Sequence, residues 1–357
     1  MKNKRFLIAC GGTGGHFYPG FALGKSLQTQ GAEVLFVLRQ NDPAASVLSR
    51  HHLPYRELTL QTGLPRSFNP LRQFRFMRQL VSSFTQARRL LQTFHPDVVL
   101  GMGGYVSFPL IFCAHRLKIK TAVHESNTIW GLSNKLCARF ADLPLMGLPM
   151  RKTFKKAVLT STPIRPEFAE SVNRAEVLRS LGLQPLPTVL VMGGSQGAKS
   201  LNEALPGLIK AHAQWQFIHL TGTRWYEAQQ QAYTGLKNVK TLAYSEEVYK
   251  LVKACDLIIC RSGASTLAEV MACRVPAILV PYPHAAANHQ YFNALVLQQA
   301  GCAQVVLDGP QLSGQLAQSF AQCTPARLSA MRAAYTALAL PNPLEATSLI
   351  TRLLQNL

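Results

Sequence analysis

The strongest constraint on this chain is a pattern that occurs twice. Short apolar runs, most of them closing on glycine or a small polar residue, alternate with segments of helical spacing. They are RFLIACGG, AEVLFVL, PDVVLGMGG and KTAVHES, and then PTVLVMGGSQG, WQFIHLTG, ACDLIICRSG and VPAILVPYP. Runs that are apolar throughout suit strands covered by helices on both faces, as in βαβ units of a parallel sheet. Two series imply an α/β chain of two Rossmann-like, doubly wound domains, and 357 residues exceed what one core usually organises. The Pro-punctuated stretch TSTPIRPEF marks the break. The expected domains are therefore 1–162 and 163–342, with a last helix over 343–357 able to pack on either, the first included.

Composition narrows the partners. The 37 Lys and Arg against 17 Asp and Glu leave +20, which attracts polyanions: nucleic acid, anionic lipid headgroups or phosphorylated substrates. No helix-turn-helix, RNP-like or zinc-finger pattern accompanies the charge, so nucleic acid is not an expected partner. The eight cysteines are scattered and form no C-x-x-C pair, which points to reduced, buried thiols rather than a zinc site or disulfides. The apolar run at the N-terminus is too short for a signal peptide, and no run approaches the roughly 18 residues a membrane span needs.

Open parallel sheets bind ligands beyond the carboxyl ends of their strands, so the loops there, and the cleft between two such sheets, are where chemistry is expected. Gly11-Gly12-Thr13-Gly14-Gly15-His16 follows the first strand and opens a helix in which Pro19 suits the first position. Its spacing fits neither the dinucleotide fingerprint nor a P-loop. Glycines bring backbone N–H groups close to an anion, and a neutral His16 suits removal of a proton from an attacking hydroxyl. Taken alone, the loop is equally an ordinary tight turn. Gly101-Met102-Gly103-Gly104-Tyr105 repeats the arrangement. His124-Glu125-Ser126-Asn127 ends the fourth strand, with Ser126 or Asn127 also readable as a helix N-cap.

In the second half, Gly193-Gly194-Ser195-Gln196-Gly197 and Arg261-Ser262-Gly263-Ala264-Ser265-Thr266 both lead from strand to helix. Hydroxyls and free N–H groups there suit a diphosphate without a metal. Glu269, seven residues after Ser262, is placed two turns along the same face, where a carboxylate can accept from both ribose hydroxyls, or simply face solvent. Asn288, His289, Gln290 and Asn293 follow the last strong strand and suit sugar hydroxyls.

Together, GGTGGHFYPG, GMGGYVSFP, HESNTIWGLSNK, GGSQGAKSLNE, RSGASTLAEV and HQYFNA, in this order across nearly the whole chain, resemble the MurG-type transferase family of peptidoglycan synthesis. The resemblance implies the inverting GT-B fold, with two domains facing across a cleft, and no resident cofactor or metal. It implies UDP-N-acetylglucosamine as donor and lipid I, undecaprenyl-pyrophosphoryl-muramoyl-pentapeptide, as acceptor. It also implies a peripheral place on an anionic membrane surface at the cytoplasmic face of the bacterial inner membrane. By position, it makes His16 the general base and Tyr105, Gly103 and Gly104 the acceptor side. The donor side falls to Thr13, Gly14, Gly15, Asn127, Arg165, Ser195, Ser262, Gly263, Glu269 and Gln290.

The chain departs from the family at Ser161-Thr162-Pro163, usually Gly-Asn-Pro, at Phe108, usually glycine, and at Ser126, often glutamine. For the membrane, residues 68–94 offer apolar positions at helical spacing among arginines. The first part, with Phe68, Leu71, Phe74 and Phe76, is the expected membrane face, and the second, from Met77 through Leu80, Val81, Phe84, Ala87 and Leu91 to Phe94, reads as core-facing. Rivals are a UDP-N-acetylglucosamine 2-epimerase, which needs carboxylates that the first glycine loops do not supply, and a transferase acting on another glycolipid.

Overall fold

A computed structural model describes residues 4–12, 14–59, 70–150, 152–194 and 196–357; Thr13, Phe68 and Ser195 lie outside these, as do the side chains of Leu71 and Arg72. The chain divides into two compact units, Met1–Arg165 with Glu345–Leu357, and Pro166–Leu344.

The first unit holds β1 (Arg5–Ala9), β2 (Glu33–Arg39), β3 (Tyr55–Leu58), β4 (Val98–Gly101), β5 (Lys120–Glu125), β6 (Leu143–Met146) and β7 (Val158–Leu159). Its helices are α1 (Gly14–Thr29), α2 (Ala44–Arg50), α3 (Pro70–Phe94), α4 (Ser107–Arg116) and α5 (Leu132–Cys137). The second unit holds β8 (Thr188–Met192), β9 (Gln216–Leu220), β10 (Val239–Leu242), β11 (Leu257–Cys260), β12 (Ala277–Leu279) and β13 (Ala303–Val305). Its helices are α6 (Arg174–Ser180), α7 (Lys199–Ala211), α8 (Tyr226–Ala232), α9 (Val248–Ala254), α10 (Ala264–Cys273), α11 (His289–Gln299), α12 (Leu312–Ala321) and α13 (Pro325–Ala334). The last helix, α14 (Pro343–Gln355), returns to the first unit.

All neighbouring strands are parallel, in the orders β3-β2-β1-β4-β5-β6-β7 and β10-β9-β8-β11-β12-β13. The order reverses between β1 and β4 in one sheet and between β8 and β11 in the other. Helices leave opposite faces at such a point, so the loops there splay and open a crevice. The four glycine-bearing loops singled out above are the ones that follow these four strands.

The strands are apolar throughout because both faces are covered: Phe6, Ile8 and Phe36 pack under α1, while Leu7, Val99 and Val123 pack under α3, α4 and α5. Ile350 and Leu354 of α14 are fully buried against the α1 face, and Lys4 Nζ donates to the Gln355 carbonyl at 2.9 Å. Two such side chains withdrawn from water contribute about 2 kcal/mol each, enough to anchor the helix. Among the described residues no helix is long and apolar enough to cross a membrane. Seven of the eight cysteines are buried, none forms a disulfide, and burial holds the Cys137, Cys260 and Cys273 thiols up at about 12.

Candidate active site

At the first switch point α1 starts at Gly14, five residues before Pro19, which therefore lies inside the helix and not at its first position. Having no N–H, Pro19 leaves the Gly15 carbonyl without its usual i+4 donor. His16 is thus on the first turn, and its ring lies on the backbone of Gly103: a Cβ built there, at φ +113°, would stand 2.6 Å from the imidazole Cδ2. Only glycine fits. Ser107 Oγ donates to the Gly103 carbonyl and Ser133 Oγ to that of Gly104, each at 2.8 Å. The structure therefore brings Gly14, Gly15, His16, Gly103 and Gly104 together, with Tyr105 exposed on the same loop.

The block after β5 is shaped by Glu125, whose buried carboxylate accepts four hydrogen bonds: from the Asn127 backbone and amide (3.0 and 2.9 Å), from Gly131 N–H (3.0 Å) and from Asn134 (2.9 Å). Neither Ser126 nor Asn127 caps a helix, because α5 starts later, with Gly131 at its N-cap. His124, fully buried, places Nε2 3.0 Å from the Ser161 carbonyl; burial lowers its pKa, so the imidazole stays neutral, with His16 close enough to lower it further. Arg165 closes the first unit with its guanidinium 5.8 Å from the centre of the Tyr18 ring, on α1.

At the second switch point, the loop after β8 lies against the loop after β9. A Cβ on Gly197, at φ +73°, would stand 2.0 Å from the Thr221 carbonyl. That carbonyl accepts from Asn202 (3.1 Å), whose Oδ1 meets His219 Nε2 (3.1 Å), while His219 Nδ1 meets the Tyr233 hydroxyl (2.8 Å). Arg261 ties the remaining loops together. It donates to the carbonyls of Val280 (3.0 Å) and Pro281 (3.2 Å), to Ser200 Oγ (3.0 Å) and to buried Asp308 (2.7 Å).

Helix α10 begins at Ala264, with Gly263 as an N-cap that has no side chain to offer, so its first N–H groups face outward without intrahelical partners. Ser265 Oγ, beside them, has no hydrogen-bond partner. Ser262, expected to hold the diphosphate through its hydroxyl, is fully buried and donates its one proton to the Gln290 carbonyl at 2.8 Å. The groups this loop leaves without such a partner are the first-turn N–H groups of α10 and Ser265 Oγ. Because Ser262 precedes the helix, Glu269 is not two turns beyond it; it lies one turn past Ser265, on the same face. Gln290 Oε1 accepts from Tyr282 N–H at 3.0 Å, which leaves Nε2 as the group that amide can offer. Ala287 and Asn288, at φ +51° and +54°, form the strained turn that starts α11. Among the described residues no group of three His, Cys, Asp or Glu is placed to hold a metal.

Residues 6–144 match the glycosyltransferase family 28 N-terminal domain, and residues 188–341 its C-terminal domain. The chain belongs to glycosyltransferase family 28. A relative from Elusimicrobium minutum, 45% identical over 99% of this chain and 100% of its own length, is named UDP-N-acetylglucosamine–N-acetylmuramyl-(pentapeptide) pyrophosphoryl-undecaprenol N-acetylglucosamine transferase. The crystal structure of Acinetobacter baumannii MurG, 28% identical, superposes with a TM-score of 0.83 over 99% of this chain and 100% of that one. UDP-GlcNAc 2-epimerase from Neisseria meningitidis, bound to UDP-GlcNAc, covers 100% of each chain with a TM-score of 0.67, but at 14% identity that likeness speaks to the fold alone.

The departures from the family 28 pattern now have physical content. Ser161 has φ +64°, a left-handed conformation that glycine takes freely and that costs another residue about 1 kcal/mol. The carbonyl of this turn is the one that holds His124. Phe108 packs edge-on to Phe84 of α3, with ring centres 5.8 Å apart, so the larger side chain ties α4 to α3. Ser126 is buried with its hydroxyl 3.4 Å from His124 Nδ1. Carboxylates do stand beneath the first-unit loops, at Asp42 and Glu125, but both are buried and fully engaged as struts. Sequence reading missed Asp42, Asn202, His219 and Asp308, and named Arg261 only as the start of its motif. Each acts through a contact far along the chain, and only the polar residue inside an apolar strand, His219, left a signal.

Proposed function

We propose that this family 28 enzyme moves N-acetylglucosamine from UDP-N-acetylglucosamine to the muramoyl 4-hydroxyl of lipid I, giving lipid II. The observation that carries the reading is the full-length likeness to a relative whose name states both substrates; the geometry supplies roles. On this reading His16 accepts the proton of the 4-hydroxyl as its oxygen attacks the anomeric carbon, the bond to the UDP β-phosphate oxygen breaks, and the configuration inverts. The first-turn N–H groups of α10 with Ser265 meet the charge of the departing diphosphate, with Arg165, so the step calls for no resident metal or cofactor. Glu269 accepts from the ribose hydroxyls, and Gln290 and Asn127 read the sugar. Gly103, Gly104 and Tyr105 form the acceptor side.

The lipid acceptor also calls for a peripheral seat on the anionic cytoplasmic face of the membrane. Supporting it, Phe74, Met77 and Val81 form one stripe along α3 and are 67%, 56% and 59% exposed, with Arg75 and Arg78 exposed beside them. Phe76 is half-buried and falls off this stripe, while Met77 and Val81, expected to face the core, lie on it. From Phe84 on the expected core-facing part does turn inward, with Ala87 and Leu91 buried and Phe84 and Phe94 packed against them, while Leu80 is half-buried.

The test supplies UDP-N-acetylglucosamine with a lipid-linked muramoyl acceptor and follows UDP. Release that depends on that acceptor is expected. Release with a diacylglycerol acceptor in its place would favour the other glycolipid transferase, and free N-acetylmannosamine without any acceptor would favour an epimerase.

A further inference from the structure

Asp42 lies just after β2, remote in sequence from both first-unit glycine loops, and its side chain is 3% exposed. One oxygen, Oδ1, accepts the Ala44 N–H at 3.1 Å, the usual task of an aspartate ahead of a helix such as α2. The other reaches away from that helix. Oδ2 accepts the Gly12 N–H at 2.6 Å and the Arg39 Nε at 2.9 Å. A Cβ on Gly11, at φ +135°, would lie 2.9 Å from the same oxygen, so the carboxylate fills the space beneath the loop. On the loop's other side, the Gly11 carbonyl stands 3.4 Å from the Cβ position of Gly104. From Gly12 the chain enters α1, whose third residue is His16, and the imidazole rests on Gly103.

We infer that Asp42 is a positioning residue for His16: by holding the Gly12 N–H it selects, from the many conformers open to Gly11 and Gly12, the one that seats α1 and sets the imidazole against Gly103. Glycine loses more backbone freedom on ordering than any other residue, so such a loop needs an external fix. A charge-assisted hydrogen bond to a buried carboxylate is a strong one. Arg39 keeps the carboxylate compensated, and with three donors already on its two oxygens Asp42 is a strut and not a proton acceptor. The inference rests on reading His16 as the base.

The test uses the full chain with UDP-N-acetylglucosamine and the lipid-linked acceptor. Misplacing a reacting group by about 1 Å costs on the order of a hundredfold, so Asp42→Ala is expected to lower kcat by about ten- to a hundredfold. The calorimetric affinity for UDP should fall far less than kcat, because the first-turn N–H groups of α10 and Glu269, which the proposed function gives to the nucleotide, lie on the second unit. Asp42→Asn keeps the shape and one acceptor, and should lose less. Sodium formate should restore part of the kcat of Asp42→Ala saturably, where chloride at equal ionic strength does not. A folded Asp42→Ala with undiminished kcat, a slowed variant that formate leaves unchanged, or UDP affinity falling in step with kcat would each overturn the inference. Should the alanine variant not fold, Asp42→Asn decides: kcat lowered with UDP affinity retained supports the role, and wild-type kcat removes it. His16→Ala, run alongside, separates the two readings. If it turns over normally, the base assignment fails; if it is inactive while the Asp42 variants are not slowed, only the positioning role fails.

Discussion

His219 shows how a single side chain can hold a loop at the second switch point in place without lining it. It is fully buried, with its ring nitrogens meeting Tyr233 and Asn202, and Asn202 holds the carbonyl against which Gly197 packs. Burial drives its pKa from 6.5 down to about 3, and burial also lowers that of His124. The unfolded chain therefore binds protons below pH 6.5 that the folded chain refuses, so stability is intact above that value and falls as the pH drops toward the folded pKa values. For His219 each unit below 6.5 removes about 1.4 kcal/mol, which is about 3 kcal/mol by pH 4.5. Thermal melts between pH 7 and 4.5 should show that decline, and His219→Gln, which cannot titrate, should flatten it. An identical pH profile in the variant would remove His219 as the cause. At this scale the sequence was legible where a glycine announces its backbone, as at Gly103, and silent where a side chain's use depends on a distant partner. Ser262 reads like a phosphate ligand in its motif, yet its hydroxyl is bonded to a carbonyl from α11.

Helical periodicity located the elements better than it located their ends. Pro19 suits a first turn, but the flanking glycines let α1 begin earlier, and α10 begins after Ser262, which shifts the face that Glu269 shares. In α3 the spacing over residues 68–94 points to an amphipathic helix, which runs from Pro70 to Phe94, and the expected core-facing part turns inward only at its end. Because 3.6 residues make a turn, Phe74, Met77 and Val81 align, whereas Phe76 points elsewhere. Withdrawing each of the three from water is worth about 2 kcal/mol. Phe74→Ser with Met77→Ser should therefore weaken binding to vesicles containing phosphatidylglycerol at least tenfold, and raised salt should weaken wild-type binding as well. Equal sedimentation of variant and wild type would remove this stripe as the membrane face.

At the scale of the whole molecule, two doubly wound sheets place four loops at two switch points, and the repeated strand–glycine–helix pattern made that legible from the sequence. The division at Arg165 follows the Pro-punctuated stretch closely, and Ile350 and Leu354 fasten α14 to the first unit. What the pattern could not supply is the frame beneath the loops. Asp42 under Gly12 and Arg261 with Asp308 under the loops around α10 and α11 join segments far apart in sequence, and Glu125 gathers Asn127, Gly131 and Asn134 within its own loop. On the proposed function the base stands in the first unit, while the N–H groups of α10 and the carboxylate for the ribose stand in the second. Turnover and UDP affinity measured together on His16→Ala test that division most directly. The account predicts turnover reduced by about a hundredfold or more with calorimetric UDP binding unchanged; near-normal turnover, or UDP binding lost along with it, would contradict the account.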